Sequence, residues 1–324
     1  MPAASIIVPV FNVATTVAQT LDALLAQTFT DFEIIVVDDG STDTTLKVLE
    51  VYADDPRIRI IYQRNRGLAG ARNTGIDVAK GLAIGFCDAD DIWQPSKLAA
   101  HLAHLQDYPN VGISYSGSSL IDDHGIDIGL AQRPRLQHVS AAHILKRNPI
   151  GNGSSAVIRR EVFREIAYRP RTELMRDWYF DETFRQSEDI ECWLRIALTT
   201  DWEFEGIEGL LTRYRINSQG LSANTDRQLA AWERMVKKLS PLHPAFFARH
   251  VQSARAYQLR YLARRAISDL DSNRAIEMTK ASVRQSVRPF IEEPGKTLTT
   301  LGATMVLHYG GPTALRVLMQ RKAT

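Results

Sequence analysis

Four short apolar runs, each followed by a segment with helical periodicity, dominate the first 90 residues of the chain. They are SIIVPVF at 5–11, FEIIVVDD at 32–39, IRIIYQ at 58–63 and LAIGFCD at 82–88. Runs that are apolar throughout are typical of strands buried on both faces, and strands that alternate with helices pair in parallel. We therefore expect an α/β fold with a mostly parallel, Rossmann-like sheet flanked by helices.

The signals become less regular after this region, and the end of the chain is helical. The further predicted elements are a strand over 111–122, a helix over 139–147, a strand over 154–160 and a helix that begins at Ser187. Beyond residue 222 the periodicity is helical, as in AAWERMVKKL and ARAYQLRYLARRAI. We expect a sheet-containing domain over residues 1–222 and a basic helical appendage over residues 223–324.

The C-terminal region differs from the rest of the chain in charge. Residues 229–324 contain 16 Lys and Arg against 6 Asp and Glu, a net of +10, whereas the whole chain contains 39 against 37. Residues 1–228 therefore hold 23 against 31, a net of −8. A basic helical region indicates an anionic partner such as a membrane surface, or simply a solvated helical face. No nucleic-acid reader motif is recognised, so nucleic acid is not expected as a partner.

Cysteine usage and hydropathy indicate a cytoplasmic protein. The two cysteines, Cys87 and Cys192, are too few for a disulfide framework or a cysteine-based zinc site. The N-terminal sequence MPAASIIVPVF has no basic segment and no long apolar core, and no window of 18 uncharged apolar residues predicts a membrane-spanning helix. Peripheral contact with the cytoplasmic face of a membrane is the open alternative.

Carboxylates follow two of the predicted strands. Asp38 and Asp39 end the second strand, and Asp88 and Asp90 follow the fourth. The carboxyl ends of parallel strands are where open α/β sheets bind ligands, so we expect the two acidic groups to face one crevice. Carboxylates brought together are best neutralised by a hard divalent cation, here Mg²⁺ or Mn²⁺. The alternative is that these residues only cap helices.

A glycine-containing loop leads into the third predicted helix. The run NRGLAGARNTGI at 65–76 carries Arg66 and Arg72 near its start. Such a loop can offer backbone N–H groups and a guanidinium to a phosphate, although its glycines can equally serve tight helix packing. A second glycine motif, GNGSSA at 151–156, precedes a predicted strand and therefore does not indicate a nicotinamide site.

The segment QSEDIECWLRI at 186–196 predicts a helix with acidic residues at its start. With Ser187 as the N-cap, Glu188 and Asp189 fall in the first turn, where the helix dipole favours ionised carboxylates. An aspartate held in this way can act as a base. The alternative is that both acids serve the helix dipole alone.

Five motifs, in this order along the chain, carry a resemblance to a known family. They are SIIVPVFN at 5–12, DDGSTD at 38–43, ARNTGI at 71–76, DADD at 88–91 and SEDIECWLRI at 187–196. Over about residues 5–222 the chain resembles the inverting glycosyltransferases of family 2, which have the GT-A fold. The resemblance implies a nucleotide-diphospho-sugar donor, with a UDP-sugar expected, and Mn²⁺ or Mg²⁺ as cofactor. It also implies one displacement at the anomeric carbon by a hydroxyl of a saccharide or lipid-linked acceptor.

The resemblance assigns roles to the acidic strand ends. Pro9 and Asp39 match the contacts to the nucleotide base, and Asp38 supports that turn. Asp88 and Asp90 match the DxD pair of the family. Asp90 is then the direct metal ligand, with Asp88 nearer the ribose or a metal-bound water.

Other roles implied by the resemblance lie outside these strand ends. Asp189 matches the catalytic base, and Asn65 and Arg72 match the diphosphate side of the donor site. The residues expected to border the sugar or the acceptor are Asp91, Trp93 and Glu188. In the expected mechanism the base removes the proton of the acceptor hydroxyl, and the metal stabilises the leaving diphosphate.

One position departs from the family pattern. Asn217 stands where many relatives have the histidine of a YRxH segment, which leaves the metal without that ligand. Arg213, Arg215 or Ser222 are the alternatives for reaching the phosphates.

Two rival functions remain open. A metal-dependent nucleotidyltransferase also needs acidic strand ends but lacks its usual phosphate-binding signature here. A non-catalytic sugar-nucleotide-binding protein would not need the base.

Overall fold

A computed structural model describes residues 1–171, 173, 176–216 and 225–320 of the chain. The chain divides into two compact units. The first contains residues 1–141 and 148–221, and the second contains residues 142–147 and 222–324. The predicted boundary at residue 222, like Asn217 and Ser222, lies outside the described residues. Residues 142–147 were predicted to belong to the first domain, but they pack with the second unit.

Nine strands of the first unit form one sheet within the described part of the chain. They are β1 (Ala4–Val10), β2 (Phe32–Asp38), β3 (Ile58–Tyr62), β4 (Ala83–Phe86), β5 (Ile92–Trp93), β6 (Val111–Ile121), β7 (Asp127–Gln132), β8 (Ala156–Arg159) and β9 (Glu203–Arg215). Their order is β3-β2-β1-β4-β8-β6-β9-β5, and β7 pairs with β6 at the side. The α/β class and the first four predicted strands are confirmed.

The sheet has a parallel half and a mixed half. Strands β3, β2, β1 and β4 are all parallel, with Ile7 of β1 paired to Ile35 of β2 and to Phe86 of β4. On the other side of β4, strand β8 runs antiparallel to both β4 and β6, and β5 and β7 also pair in antiparallel fashion. Strand β9 is parallel to β6. The parallel arrangement therefore ends at β4, because β8 enters the middle of the sheet from the opposite direction.

Helices cover both faces of the parallel half. The helices that lie wholly in the first unit are α1 (Val17–Leu25), α2 (Thr45–Glu50), α3 (Gly67–Val78), α4 (Lys97–Asp107), α6 (Arg160–Ile166) and α7 (Glu188–Thr199), and α5 (Ala141–Lys146) extends into the second unit. Leu21 of α1 packs into the same buried cluster as Ile6 and Ile34. On α3, a Cβ at Gly75 would lie 2.4 Å from the Ile7 side chain, so glycine allows this helix to lie close against β1.

The second unit is helical in its described residues. It contains α8 (Thr225–Leu239), α9 (Pro244–Ser268), α10 (Ser272–Gln285), α11 (Arg288–Glu292), α12 (Pro294–Met305), a π-helical turn (Val306–Gly310) and α13 (Gly311–Gln320). Leu259 and Leu262 of α9 pack against Met278 of α10. The predicted C-terminal helices are thus present, and none of the described helices is long and apolar enough to cross a bilayer.

Candidate active site

The acidic residues that follow β2 and β4 lie at one edge of the sheet. Both strands pair in parallel with β1, where Val10 is opposite Asp38 and the carbonyl of Ile7 accepts a hydrogen bond from the amide of Cys87. Two strand spacings separate β2 from β4, so the acidic groups that follow them start about 10 Å apart. This edge is where the sequence predicts ligand binding.

Asp39 holds the start of α3 against the end of β2. Its Oδ1 accepts hydrogen bonds from Gln63 Nε2 at 2.6 Å and from the amide of Arg66 at 2.8 Å, and its Oδ2 accepts one from the amide of Gly67 at 2.8 Å. Asp38, also buried, accepts the amide hydrogen of Ser41 within the following turn. The backbone of the predicted phosphate loop is therefore fixed by a carboxylate of the neighbouring strand end.

Two other residues predicted at the nucleotide lie along the same edge. Pro9 is buried in β1 beyond Ile7, the last residue of that strand paired with β4. Asn65 is exposed and lies in the segment between Gln63 and Arg66, which donate to Asp39. Their contacts to a nucleotide, like that of Asp39 to the base, stay predictions.

Arg72 joins the acidic strand end to the acidic helix start. Its buried guanidinium donates from Nη2 to Asp88 Oδ1 at 2.9 Å and from Nη1 to Glu188 Oε1 at 2.8 Å. The same guanidinium lies 5.7 Å from the ring of Phe86 and 5.6 Å from that of Phe180, within cation–π range. Both terminal nitrogens thus bind carboxylates of the protein. Arg72 brings together the DADD and SED segments, which are about 100 residues apart in the sequence.

The negative charges of the Asp88 and Asp90 carboxylates are only partly neutralised by nearby side chains. No side chain of the described residues donates a hydrogen bond to the Asp90 carboxylate. Burial raises the pKa of Asp90 to about 6, and the nearby charge of Asp88 adds to the shift. The charge of Arg215 opposes this shift without cancelling it, so a further cation beside Asp90 would favour the ionised form.

The residues present fit a divalent cation that is shared with a ligand. Mg²⁺ and Mn²⁺ prefer oxygen ligands, and in phosphate-binding sites one or two carboxylates commonly hold them together with substrate phosphates. Asp88 and Asp90 supply such a pair. Across the described ranges, no group of three or more His, Cys, Asp or Glu side chains is arranged to hold a metal ion.

Asp189 lies in the first turn of α7 and is held by two hydrogen bonds. Its Oδ2 accepts from Asn148 Nδ2 at 2.9 Å, and its Oδ1 accepts from the amide of Ile190 at 2.8 Å. Burial raises the pKa of Asp189 above its ordinary value, Arg72 opposes this shift, and the charge of Asp88 adds to it. A carboxylate with a raised pKa is a stronger base than an ordinary aspartate.

Ser187 does not cap α7 in the way the sequence predicts. Its backbone is left-handed, with φ of 60°, and its side chain makes no capping hydrogen bond. The amide of Glu191 instead bonds to the Ser187 carbonyl at 3.3 Å. Ser187 therefore occupies the predicted N-cap position, but its hydroxyl does not accept the amides of the first turn.

The three residues predicted beside the sugar or acceptor are buried, with exposed fractions of 0% for Asp91, 1% for Trp93 and 5% for Glu188. The Asp91 carboxylate accepts from Ser154 Oγ and from the amide of Arg215, and Trp93 Nε1 donates to the Ser154 carbonyl. Glu188 is bound to Arg72, and burial raises its pKa to about 7. These residues support the walls of the site. The polar groups of Asp91 and Trp93 are bonded within the protein, and a place for either residue beside the sugar or acceptor stays a prediction.

The sequence did not predict how Ser154, Arg215 and Lys97 hold the site. Ser154 Oγ accepts the amide hydrogen of Asp88 at 2.9 Å, and Arg215 Nε donates to the carbonyl of Asp90 at 2.8 Å. Lys97 is fully buried and donates to the carbonyls of Ser154 and Ser155 at 2.9 and 3.0 Å. Ser154 belongs to the glycine motif dismissed as a nicotinamide site, and Arg215 was expected to reach the phosphates.

The sequence contains a pattern that could have indicated the buried position of Lys97. On helix α4, Lys97, His101 and His104 recur at the spacing of one helical face, and all three are buried. Charged or polar residues on a face that must pack against a sheet indicate a buried hydrogen-bonding network. His101 Nδ1 indeed lies 2.7 Å from Ser114 Oγ in β6.

Comparison with known proteins agrees with this geometry. Residues 5–167 match the family model described as glycosyl transferase family 2. The uncharacterised glycosyltransferase EpsJ of Bacillus subtilis (strain 168) is 51% identical over 92 residues, which are 28% of this chain and 27% of EpsJ. The Escherichia coli enzyme WfaP, a UDP-Glc:alpha-D-GlcNAc-diphosphoundecaprenol beta-1,3-glucosyltransferase, is 28% identical over 239 residues, or 74% of this chain and 87% of WfaP.

A solved structure shows the same fold. The mannosyltransferase PcManGT from Pyrobaculum calidifontis, in complex with GDP-Man and Mn²⁺, superposes with a TM-score of 0.57 at 20% identity, covering 98% of this chain and 86% of that chain. The chain spans between 18% and 52% of the length of the first four curated relatives it matches. Because the family model covers about half of the sequence and its motifs meet at one edge of the sheet, the chain belongs to glycosyl transferase family 2.

Proposed function

We propose that the protein transfers a sugar from a nucleotide-diphospho-sugar to an acceptor hydroxyl, with inversion at the anomeric carbon. The observation that carries the proposal is the Arg72 bridge between Asp88 and Glu188. It joins the carboxylate pair that would hold a metal to the helix turn that carries Asp189. A glycosyl transfer that uses a diphosphate leaving group needs these two functions beside each other.

The substrate class follows from relatives of the chain. The enzyme name of WfaP specifies UDP-Glc as donor and a diphosphoundecaprenol-linked sugar as acceptor, and PcManGT was solved with GDP-Man. We therefore propose a UDP-sugar donor and a saccharide or lipid-linked acceptor, in the synthesis of a polysaccharide or glycoconjugate. To use a lipid-linked acceptor, the protein would act at the cytoplasmic face of a membrane, which it would contact through the basic C-terminal helices.

The proposed roles of the residues follow from their bonds. Asp90 and Asp88 would hold Mn²⁺ or Mg²⁺, which supplies positive charge opposite the leaving nucleoside diphosphate when it is bound. Asp189 accepts the proton of the acceptor hydroxyl, and Asn148 keeps its carboxylate in one orientation. Its raised pKa brings the base closer to the operating pH than an ordinary aspartate. No second carboxylic acid is needed, since the leaving diphosphate is a weak base.

A non-catalytic sugar-nucleotide-binding protein is the alternative. Such a protein would need Asp39 and Asp90 but would gain nothing from the half-buried carboxylate of Asp189 with its raised pKa. The hydrogen bond from Asn148 to Asp189 favours the enzyme, because it orients a carboxylate that has no metal-binding role in the proposal. A nucleotidyltransferase is disfavoured because the segment after β1 has no Walker-type phosphate loop.

The decisive experiment compares Asp189→Asn with Asp90→Ala. We expect Asp189→Asn to keep Mn²⁺-dependent binding of the sugar nucleotide within about twofold and to reduce transfer by about 10²- to 10⁴-fold. Asp90→Ala should weaken donor binding in Mn²⁺ but not in chelator. The exposed Asp107→Asn serves as the matched control, and a panel of sugar nucleotides in a thermal-shift assay identifies the donor. Full transfer activity of Asp189→Asn would refute the assigned base.

A further inference from the structure

A groove between two helices of the second unit has an apolar wall and a basic rim. Its volume is about 340 Å³, which is at the lower end of the range for small-molecule sites. Its lining residues are Ile276, Thr279, Lys280, Val283, Arg284, Leu301, Thr304, Met305 and Tyr309. They come from α10, from α12 and from the π-helical turn that follows α12. The groove lies within one compact unit and contains none of the active-site residues.

The basic side chains at this groove have no ion-pair partner among the described residues. Lys280 and Arg284 are exposed one turn apart on α10, and neither makes a salt bridge there. Helix α10 carries three basic residues and one acid, Glu277. The acids of the next segment are already neutralised, since Glu292 pairs with Lys146, and Glu293 pairs with Arg147 and Arg260. A surplus of positive charge therefore faces solvent beside the groove.

The apolar side chains beside these cations are unusually exposed for their size. Tyr309 is 80% exposed, and Met305 and Val283 are 50% and 40% exposed. The apolar surface continues along the chain to Val287 and Ile291, which are also exposed. Apolar side chains gain about 25 cal/mol for every Å² that is removed from water, so this surface favours an apolar partner.

An anionic phospholipid has both matching parts. Its phosphate is negative, and its acyl chains are apolar. We infer that the α10–α12 groove binds an anionic phospholipid at a membrane surface, with the phosphate at Lys280 and Arg284 and the acyl part against Val283, Met305 and Tyr309. The biological purpose rests on the proposed function, because a lipid-linked acceptor is presented at a membrane. The binding itself requires no residue of the active site.

The test is co-sedimentation of the full chain with vesicles. Phosphatidylcholine vesicles that contain phosphatidylglycerol should bind the protein. Vesicles of phosphatidylcholine alone should bind it at least about tenfold more weakly, because each basic residue near an anionic surface raises the binding affinity on the order of fivefold. The double variant Lys280→Glu/Arg284→Glu should lose this preference. Arg249→Glu/Arg264→Glu changes the charge equally at exposed sites of α9 outside the groove and is the matched control.

A second variant separates apolar contact from charge alone. Val283→Ser/Tyr309→Ser keeps both cations and should weaken binding to the anionic vesicles by about tenfold. If Lys280→Glu/Arg284→Glu and the α9 control lost binding to anionic vesicles equally, the effect would be due to net charge, and the inference would be overturned. A dimer of the parent chain that dissociates in the groove variants, without vesicle binding, would assign the groove to a second copy. Sugar-nucleotide binding measured on the same variants keeps failure here distinct from failure of the proposed function.

Discussion

The side-chain amide of Asn148 donates a hydrogen bond of 2.9 Å to Oδ2 of Asp189. Asn148 lies in the segment before β8, and Asp189 lies in the first turn of α7. The other Asp189 oxygen accepts the amide of Ile190, so each oxygen of the proposed base has a donor. This arrangement fixes the orientation of the carboxylate before any substrate is bound.

Replacement of Asn148 should therefore slow transfer without abolishing it. A hydrogen bond to a charged group contributes about 1.5–3 kcal/mol, so Asn148→Ala should lower kcat by about tenfold or more. Loss of a donor to the ionised form also raises the pKa of Asp189, and the acid limb of the pH profile of kcat should move to higher pH. The exposed Asn110→Ala is the control. An unchanged pH profile would show that Asn148 acts only through structure.

The Arg72 bridge should be essential to folding stability as well as to the site. Arg72→Met leaves the buried Glu188 and the neighbouring Asp88 without their cation, and breaking a buried pair in this way costs about 3–5 kcal/mol. Urea unfolding should show this loss in the midpoint of the transition. Arg169 pairs with Asp177 on the surface, and Arg169→Met should change the free energy of unfolding by less than about 1 kcal/mol. Equal losses in the two variants would contradict a special role for the bridge.

Substitution of Gly153 tests how closely the backbone must approach Asp88 and Arg72. A Cβ at this position would lie 2.3 Å from Arg72 Nη2 and 2.9 Å from Asp88 Oδ2, so Gly153→Ala must displace one of them. We expect Mn²⁺-dependent donor binding to weaken by about tenfold, which corresponds to about 1.4 kcal/mol. Gly302 in α12 has no atom within 4 Å of its added Cβ, and Gly302→Ala should leave donor binding unchanged. Calorimetric titration of the donor in Mn²⁺ distinguishes the two results.

The buried Lys97 should make stability depend on pH. Burial lowers the pKa of Lys97 to about 7, below the ordinary value of about 10.4. Between these two values the unfolded chain binds more protons than the folded one, so this residue makes the free energy of unfolding rise with pH across that window. From pH 7 to pH 9 the parent should gain roughly 2 kcal/mol relative to Lys97→Met. Urea unfolding at the two pH values measures the difference.

The exposed Lys47→Met is the control for Lys97. Because Lys47 is exposed to solvent and has no part in the buried network around Lys97, Lys47→Met should retain the pH dependence of the parent. Parallel curves for the parent and Lys97→Met would mean that Lys97 stays protonated in the folded protein at neutral pH.

The parallel half of the sheet could be predicted because its signal is local. Strands β1 to β4 are apolar throughout, and their observed ends lie within a few residues of the predicted ones. The acids at 38–39 and 88–90 follow directly from those ends, because parallel strands place their carboxyl ends at one edge. Family motifs located the helix turn of Asp189.

The strand order in the mixed half of the sheet, and the hydrogen bonds that hold the site residues, depend on contacts between residues that are distant in sequence. Strand β8 has four residues and lies between β4 and β6, a position that no local pattern reveals. The buried Asp91 and Trp93 are both hydrogen-bonded to Ser154, which donates from Oγ to Asp91 and accepts from Trp93 at its carbonyl, and that residue is about 60 positions away. Ser187 is the N-cap residue of α7 but makes no side-chain capping hydrogen bond, and its backbone is left-handed, a conformation that serine rarely adopts.

The position of β8 has a consequence for how the protein is made. During synthesis, residues 1–110 already contain the four parallel strands and the acids that follow them, but Asp88 obtains its Ser154 contact only when β8 enters between β4 and β6. The base at 189 follows later still. A ribosome-bound N-terminal fragment would therefore form the parallel half of the sheet before Asp88 and the proposed base Asp189 are held in place, and competence for the proposed sugar transfer would arise late in translation.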